Sequence, residues 1–376
     1  MTLTETRTSP LNCPTPVICG PTAGGKSDLA VSLALALRDR FNTPAEIVTA
    51  DAFQIYRGMD IGTAKPTVEE RRGVPHHLID LVDATARQPA TGIRHSGKQP
   101  EASPSNAAPS PFTLQSWLTR ANFTLADIRA RNALPIVVGG THLYIKALLE
   151  GLFEGPEPDP ALRAELAAMD PSDRRAELER VDPAAAQRIH PNDIRRTIRA
   201  LEVHRLTGKP ITAHQTQWDS SQRTRSVSDG PLTSQTPKAP AHAQLASNPF
   251  LLTILDWETE PLNRRINARV KDMFDRGLPS EIRALLALGP LTPQAAEALG
   301  YKQLIPVIQS AGDSWPPPAQ ALTDAGEAIK IETRRFAKNQ RTWLRRLRTT
   351  RGAVTFLMPG TTTSDAVQAL LDRLKP

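Results

Sequence analysis

The stretch Gly20–Ser27, GPTAGGKS, matches the pattern G-x-x-x-x-G-K-[ST]. It stands between PVIC (Pro16–Cys19), an apolar run that predicts a short buried strand, and SDLAVSLALAL, which consists of good helix formers. In such a strand–loop–helix unit, successive backbone N–H groups bind phosphate oxygens at the start of the helix. The predicted phosphate loop consists of Gly20, Pro21, Thr22, Ala23, Gly24, Gly25, Lys26 and Ser27. Lys26 would add a positive charge to it, and the Ser27 hydroxyl can hold Mg²⁺.

Two more strands are predicted downstream, EIVTA (Glu46–Ala50) and PIVVGG (Pro135–Gly140), with helix-like stretches between them. This alternation favours an α/β fold, a P-loop NTPase-like parallel sheet flanked by helices. After Gly155 the pattern becomes helical as far as Trp218. We interpret that region as an inserted helical subdomain.

The predicted organisation has four parts: a first part of the core at residues 12–156, the helical insertion at 157–218, a low-complexity linker at 219–248, and the continuation of the core at 249–376. Within the first part, residues 84–111 contain five prolines and no aromatic residue. The linker is rich in Ser, Thr, Pro and Gln and also lacks aromatic residues. Neither segment can bury enough surface to offset its ordering entropy, so both are predicted to be disordered or loosely packed surface insertions.

The composition of the 376-residue chain excludes several classes of protein. It has no run of about eighteen apolar residues that could span a membrane, and MTLTETRTSPLNC at the N-terminus lacks the apolar region of a secretory signal. Two cysteines, Cys13 and Cys19, are too few for a disulfide framework or a four-cysteine zinc site. The adjacent His76 and His77 have no evident third ligand, which favours a structural role. We therefore expect a reduced, cytoplasmic protein with free thiols.

Positive charge is concentrated near the C-terminus. Residues Lys330–Arg351 contain nine Lys or Arg and one acid, a net charge of 9 − 1 = +8, against +7 for the whole chain. Five of these cations are spaced by four, three, four and three residues, which predicts one stripe of a helix. They are Arg334, Lys338, Arg341, Arg345 and Arg348. With Phe336, Trp343 and Leu347 expected to pack on the opposite side, the stripe predicts a polyanion partner, although a solvated helix face is the alternative.

A carboxylate is predicted beside the phosphate loop. EIVTA ends at Asp51, and the carboxyl ends of parallel strands meet at the edge that the loop also occupies. Asp51 is suited there to act as a base, or alternatively to organise a metal or cap a helix. PIVVGG ends without the acid that is typical of a P-loop ATPase, while LIDLVD (Leu78–Asp83) also offers acids.

Several segments, in order along the chain, resemble the bacterial tRNA dimethylallyltransferases, also called tRNA isopentenyltransferases. The two most specific are DAFQIYRGMDIGTAKP (Asp51–Pro66) and GGTHLYIKALLEGL (Gly139–Leu152). The others are the phosphate loop, VPHHLID (Val74–Asp80), RIHPNDIRRTIRALEV (Arg188–Val203), TGKPIT (Thr207–Thr212), GYKQL (Gly300–Leu304) and KNQRTWLR (Lys338–Arg345). The family usually has Ser where this chain has Ala52, and several members have Cys where it has Ala298.

The resemblance implies transfer of the dimethylallyl group from dimethylallyl diphosphate to the exocyclic N6 of an adenine, the one 3′-adjacent to the tRNA anticodon (position 37). The phosphate loop would then hold the donor's diphosphate with Mg²⁺, and Lys26 would stabilise it as it leaves. Asp51 would take the N6 proton. By resemblance Thr141 and Arg265 also line the site, and Arg265, otherwise a surface charge, would face the diphosphate.

The expected tRNA contacts combine the strip after β-strand EIVTA with three clusters of cations. They are Asp51, Ala52, Phe53, Gln54, Thr141, Arg163, Arg195, Arg196, Arg199, Lys338, Arg341 and Arg345. The amide of Gln54 can read an adenine edge, or Gln54 can be a turn residue. The expected partners are the tRNA anticodon stem-loop and dimethylallyl diphosphate, bound by a monomer.

Two other functions fit part of this pattern. A small-molecule P-loop kinase that uses ATP would share the phosphate loop and Mg²⁺, but it leaves the basic stripe unexplained. A non-catalytic RNA-binding NTP sensor explains the stripe but gives no role to Asp51 or to the GGTHLY segment. Nucleoside composition of tRNA with and without the protein distinguishes the three functions.

Overall fold

The computed structural model describes residues 13–85, 112–152, 155–214, 250–350 and 352–374. Residues 86–111 of the predicted insertion and the whole predicted linker at 219–248 lie outside these ranges. The chain divides into two compact units, a core unit within 1–145 and 241–376 and a helical unit within 146–240. No helix among the described residues is both long enough and apolar enough to cross a bilayer.

The core unit is built on a parallel sheet, which confirms the predicted α/β class. The strands in chain order are β1 (Thr15–Cys19), β2 (Ala45–Thr49), β3 (Tyr56–Arg57), β4 (His76–His77), β5 (Val82–Asp83), β6 (Leu134–Gly139), β7 (Phe250–Trp257) and β8 (Val354–Met358). Six of them form a sheet in the order β4-β2-β6-β1-β7-β8, and every neighbouring pair is parallel. The short strands β3 and β5 pair separately, also in parallel.

Helices account for most of the remaining described chain. The helices of the core unit are α1 (Lys26–Phe41), α2 (Val68–Arg71), α3 (Leu114–Ala130), α10 (Thr259–Asp275), α11 (Leu278–Leu288), α12 (Pro293–Ala296), α13 (Tyr301–Ala311), α14 (Ala319–Leu347) and α15 (Thr363–Leu374). Helix α4 (His142–Glu150) begins in the core unit and continues into the helical unit. The other helices of the helical unit are α5 (Pro160–Ala168), α6 (Pro171–Val181), α7 (Pro183–Arg188), α8 (Ile194–Thr207) and α9 (Ile211–His214).

Burial of the central strands explains why their sequences are continuous apolar runs. Strands β1, β2 and β6 are buried along their whole length, as expected for a parallel sheet that is covered on both faces. Helices α1 and α15 contribute Leu33, Leu37, Leu370 and Leu371 to the same hydrophobic cluster. The carboxyl ends of β1, β2 and β6 therefore lie next to each other at one rigid edge.

The helical unit has its own small core, which contains Leu166, Leu178 and Leu201. The predicted insertion at 157–218 falls within this unit, whose division from the core unit lies at Lys146.

The first two residues of the predicted insertion at 84–111 belong to the folded core unit. Ala84 is buried, and its carbonyl oxygen accepts a hydrogen bond of 2.8 Å from Thr292 N. Thr85 forms an isolated β-bridge with Leu291. The prediction of an unpacked insertion from Ala84 onward was therefore wrong for these two residues, because Leu291 and Thr292, just before α12, supply backbone partners that the sequence pattern does not reveal.

Gly139, at the end of β6, is required by close packing against the next strand. A Cβ atom built there would lie 2.0 Å from the carbonyl oxygen of Ala50. Gly326 in α14 is different, because a Cβ there would meet the Phe274 ring at an ordinary 3.6 Å.

We expect Gly139→Ala to destabilise the protein by about 3 kcal/mol or more, because β2 and β6 must separate. Gly326→Ala, the matched control, should be neutral or stabilising by up to about 1 kcal/mol, since Ala favours a helix. Urea unfolding of both variants measures the difference. Equal stability of the two would show that the contact between β6 and Ala50 is not tight.

Candidate active site

The phosphate loop ends directly in helix α1. Gly25 precedes the helix with φ 82°, a left-handed conformation that glycine adopts without strain, and no side chain caps the helix. The first N–H groups of a helix have no partner inside it. Ser27 is exposed at this end. The predicted loop therefore has the form of an anion site.

Lys26 lies at the centre of the loop. Its ammonium donates to the carbonyl oxygen of Pro21 at 2.8 Å. Burial, reinforced by the nearby Arg269, lowers the pKa of Lys26 to about 8, while the Asp51 carboxylate opposes that shift. Lys26 is therefore charged at neutral pH and lies close to both Asp51 and Arg269.

Asp51 follows β2, as predicted, and its carboxylate is fixed by the backbone. Oδ1 accepts hydrogen bonds from Phe53 N at 2.9 Å and from Gln54 N at 3.3 Å. These bonds are of the capping type, one of the alternatives for this residue. They engage one carboxylate oxygen, so Oδ2 is the atom that can act on a substrate.

Thr141 holds the chain on both sides of Asp51. Its backbone N–H donates to the carbonyl oxygen of Ala50 at 3.2 Å, and its Oγ1 accepts from Ala52 N at 3.1 Å. The missing Cβ of Gly139 allows this approach between the two strand ends. Thr141 thus fixes the position of Asp51 relative to β6.

Two arginines one turn apart on α10 contact the phosphate loop. Arg265 donates from Nε to the carbonyl oxygen of Ala23 at 2.7 Å, and its guanidinium stacks over the ring of Trp257, 4.9 Å from the centroid. Arg269 donates from Nη1 to Thr22 Oγ1 at 3.3 Å. Sequence reasoning identified Arg265 and missed Arg269, although the spacing of four residues on a helix could have indicated it.

Two more side chains that the sequence did not reveal shape the loop. Trp257 donates from Nε1 to the carbonyl oxygen of Gly24 at 3.1 Å. Gln340, only 4% exposed, accepts from Thr22 N at 2.7 Å and donates to the carbonyl oxygen of Gly140 at 3.0 Å. Gln340 lies 318 residues from its partner in the loop, so no local pattern could have indicated this contact.

His142 is a further buried group near Lys26. It is 5% exposed, and its Nε2 has no hydrogen-bond partner within the described ranges. Burial, helped by the charge of Lys26, lowers the pKa of His142 to about 4. The imidazole is therefore neutral near pH 7.

Gln54 is held by the segment that follows it. Its amide nitrogen donates to the carbonyl oxygens of Thr63 at 3.3 Å and Ala64 at 3.2 Å. That segment is fixed in turn by Glu281, which accepts from the N–H groups of Asp60, Ile61 and Gly62. The amide donors of Gln54 thus serve a structural role, while adenine recognition by its oxygen stays a prediction.

The basic stripe lies on α14 but does not face directly away from the packed side. The buried residues of this part of the helix are Ala337, Gln340, Leu344 and Leu347. Phe336 is 41% exposed, so its predicted packing role was wrong. The helix turns by about 100° per residue, and the small Ala337 rather than the large Phe336 meets the core.

The stripe divides into two groups. Arg334 donates to Asn267 at 2.7 Å, Arg341 donates to Thr259 at 2.6 Å, and Arg348 pairs with Asp256. Lys338 and Arg345 are exposed, and neither has a side-chain partner in the part of the chain that the structure describes. These two are the cations best placed to bind a polyanion.

The arginines of the helical unit also divide into two groups. Arg163 and Arg199 both pair with the fully buried Glu202. Burial opposes ionisation of Glu202, but these arginines outweigh it and lower the pKa of the carboxyl. Arg195 and Arg196 are exposed on α8. A tRNA contact by any of the four stays a prediction.

The remaining candidates have structural roles. His77 contacts Glu46 through Nε2 at 2.6 Å. Cys13 and Cys19 are free, as predicted, and both are buried. The described residues contain no group of three or more His, Cys, Asp or Glu that could hold a metal.

Comparisons with known proteins identify the family of this chain. The family model of the IPP transferases matches residues 54–91 and 106–347. The tRNA dimethylallyltransferase 1 of Mycobacterium marinum is 37% identical over 344 residues, which cover 89% of this chain and 90% of that protein. The tRNA dimethylallyltransferase of Geobacter metallireducens is 38% identical over 337 residues, with coverage of 88% and 89%.

Two solved structures resemble this fold over almost the whole chain. The tRNA isopentenylpyrophosphate transferase of Bacillus halodurans has 29% identity and a TM-score of 0.58, with 96% of this chain and 97% of that chain covered. A eukaryotic dimethylallyltransferase acting on tRNA has 25% identity and a TM-score of 0.67, with coverage of 95% and 77%. The chain therefore belongs to the IPP transferase family.

Proposed function

We propose that the protein transfers the dimethylallyl group of dimethylallyl diphosphate to N6 of adenine 37 in tRNA, next to the anticodon. The observation that carries this proposal is the placement of the Asp51 carboxylate, fixed by backbone N–H groups, beside a phosphate loop centred on Lys26. A leaving group and a base would thereby be brought to one edge of the sheet, in a chain of the IPP transferase family.

The chemistry requires a good leaving group and a proton acceptor. The bond between the allylic carbon and the diphosphate oxygen breaks, and its electron pair leaves with the diphosphate. The lone pair of N6 forms the new N–C bond, and one N6 proton is lost. Since the N6 lone pair is delocalised into the ring, N6 is a weak nucleophile. The protein must therefore both stabilise the leaving diphosphate and accept the N6 proton.

The phosphate loop would stabilise the departing diphosphate. Lys26 supplies a charge, the first N–H groups of α1 supply donors, and Arg265 and Arg269 lie against the same loop. The exposed Ser27 hydroxyl would hold Mg²⁺ together with diphosphate oxygens and water, the ligand set that this ion prefers. Bound there, the ion would neutralise charge on the diphosphate.

Asp51 would accept the N6 proton through Oδ2. Its other oxygen is held by two backbone N–H groups, so the carboxylate cannot rotate freely. Thr141 keeps this strand end in register with β6. The adenine would have to leave its stack to reach Asp51, as in other enzymes that act on bases, and the oxygen of Gln54 would accept from its N6.

The tRNA backbone would be bound by exposed cations, with Lys338 and Arg345 as the first candidates in the core unit. Phosphate contacts fix the position of an RNA, while its bases are read in single-stranded loops such as the anticodon loop.

We also propose that the protein acts as a cytoplasmic monomer. The two alternatives, a kinase and an NTP sensor, gain no support from the match to the IPP transferase family. Neither of them gives a role to Asp51 as a base.

The proposed function is tested with dimethylallyl diphosphate and a synthetic anticodon stem-loop. Mass spectrometry of the digested RNA should show N6-dimethylallyladenosine at the adenine next to the anticodon, and none when that adenine is replaced by guanine. Phosphoryl transfer from ATP to a metabolite would support the kinase instead. RNA binding with no product under any donor would support the sensor.

Asp51→Asn keeps the shape of the side chain and its acceptor for the backbone, but removes the proton acceptor. We expect turnover to fall about 100- to 10,000-fold. The affinities for donor and tRNA should change little. Asp275→Asn, an exposed carboxylate paired with Lys271, is the control. Near-normal turnover of the Asp51 variant would remove this residue from the chemistry.

Pyrophosphate affinity should depend on the charge of Lys26. Because the pKa of Lys26 is about 8, the side chain is charged below that pH and loses its charge as the pH rises through it. Affinity should therefore fall above pH 8, by up to about tenfold per pH unit. Calorimetry of the wild type and of Lys26→Met at each pH separates this effect from the titration of pyrophosphate. A constant ratio between the two proteins contradicts the prediction.

Replacing Lys338 and Arg345 together by Gln should weaken binding of every tRNA, whether substrate or not. The slope of log affinity against log salt should shrink by roughly 1.4 to 1.8, at about 0.7 to 0.9 per phosphate. The control exchanges Arg38 and Lys271, two exposed cations elsewhere in the core unit, for Gln. An equal change of the salt slope in both double variants would show that Lys338 and Arg345 contribute only through the overall charge of the protein.

A further inference from the structure

We propose that Gln340 is a positioning residue of the reaction, which sets the distance between the leaving diphosphate and the base Asp51. The inference rests on the proposed function and adds a residue to it. Gln340 does not itself need to touch either substrate.

The amide of Gln340 joins two loops that leave neighbouring strands. Its oxygen accepts from Thr22 N at 2.7 Å, in the loop after β1, and its nitrogen donates to the Gly140 carbonyl oxygen at 3.0 Å, after β6. The register between these strands ends at the pair Cys19 and Gly139. Gln340 thus continues the connection between β1 and β6 beyond the end of their ladder.

Each of the two loops carries one half of the proposed chemistry. Thr22 follows Pro21, whose carbonyl oxygen binds the ammonium of Lys26. Gly140 precedes Thr141, which holds the backbone on both sides of Asp51. A shift of one loop relative to the other would therefore move the leaving group relative to the base. A displacement of about 1 Å can cost about 100-fold in rate.

Only an amide meets the demands of this place. The bridge needs one acceptor and one donor on a single uncharged side chain, which Gln supplies. Glu would lack the donor and would place a negative charge beside the diphosphate. The bridge also requires a residue without a side chain at Gly140. A Cβ atom there would lie 2.8 Å from Gln340 Nε2, too close for both, and 3.6 Å from Lys26 Nζ.

Helix α14 holds Gln340 firmly in place. The side chain is 4% exposed, and α14 is joined to α10 by the bond from Arg334 to Asn267 and by the bond from Arg341 to Thr259. Helix α10 contacts the phosphate loop itself, through Arg265 and Arg269. The side chain of Gln340 is therefore carried by a helix that is bonded to a second helix, α10, and not by a loop.

The test is a double-mutant cycle of Gln340→Ala and Gly140→Ala. Each single variant should lower kcat by about 10- to 100-fold, with KM for tRNA changed less than about threefold. The double variant should be no slower than the slower single variant, since both changes break the same bridge. Gln320→Ala, an exposed glutamine on the same helix that bonds Asp324, should retain wild-type kcat.

Pyrophosphate stoichiometry, measured by calorimetry, separates positioning from loss of folded protein. It should stay near one per chain in each variant while kcat falls. If Gln340→Ala loses stoichiometry, Gln340→Leu, which refills the space, takes its place in the cycle. Wild-type kcat in both Gln340 variants, full additivity in the cycle, or a loss of kcat that only follows stoichiometry would overturn the inference. Absence of prenyl transfer by the wild type would instead reject the proposed function.

Discussion

The site depends on the electrostatic balance between one carboxylate and two cations that share a partly dehydrated edge of the sheet. Burial and Arg269 lower the pKa of Lys26, and Asp51 opposes that shift. The same carboxylate acts on Arg269, whose pKa burial lowers and Asp51 raises. A diphosphate that entered here would bring its own negative charge toward Asp51. Lys26 and Arg269 would lie where they can offset the negative charges of the diphosphate and of Asp51. A base and an anionic leaving group could then act close to each other.

The parallel sheet makes this proximity possible because it places several strand ends side by side. Strands β2, β6 and β1 are neighbours in the sheet. They are followed by Asp51, by Gly140 and Thr141, and by the phosphate loop, respectively. Their backbones approach more closely than side chains would allow, and the absence of a Cβ at Gly139 is what permits it. The side chains of Asp51 and Lys26 are then each held by hydrogen bonds with the backbone, which restrict their motion. The fold supplies the preorganisation that proton transfer and leaving-group departure require.

Sequence reasoning found what local patterns encode and missed what distant packing decides. The phosphate loop, the strand before Asp51 and the α/β class follow from periodicity and spacing within short windows. Arg269 lay within reach of the same reasoning, one helical turn after Arg265. Gln340 did not, because its partners are about two hundred and three hundred residues away in the sequence. The error at Phe336 has a related cause: which face of a helix is buried depends on the neighbouring helices, and not only on where its large apolar residues stand.

Helix α14 serves two purposes, and its arginines show how one stripe of charge can be divided between them. A cation that already bonds a protein group gains less from a phosphate, since it must give up or share that bond. Arg334, Arg341 and Arg348 hold such bonds, two of them to α10 and one to Asp256 of β7. Lys338 and Arg345 stand on the outer side and carry their charge into solvent. The inner cations fix the helix that carries Gln340. If the outer ones bind RNA as proposed, their position relative to the phosphate loop would therefore be constant.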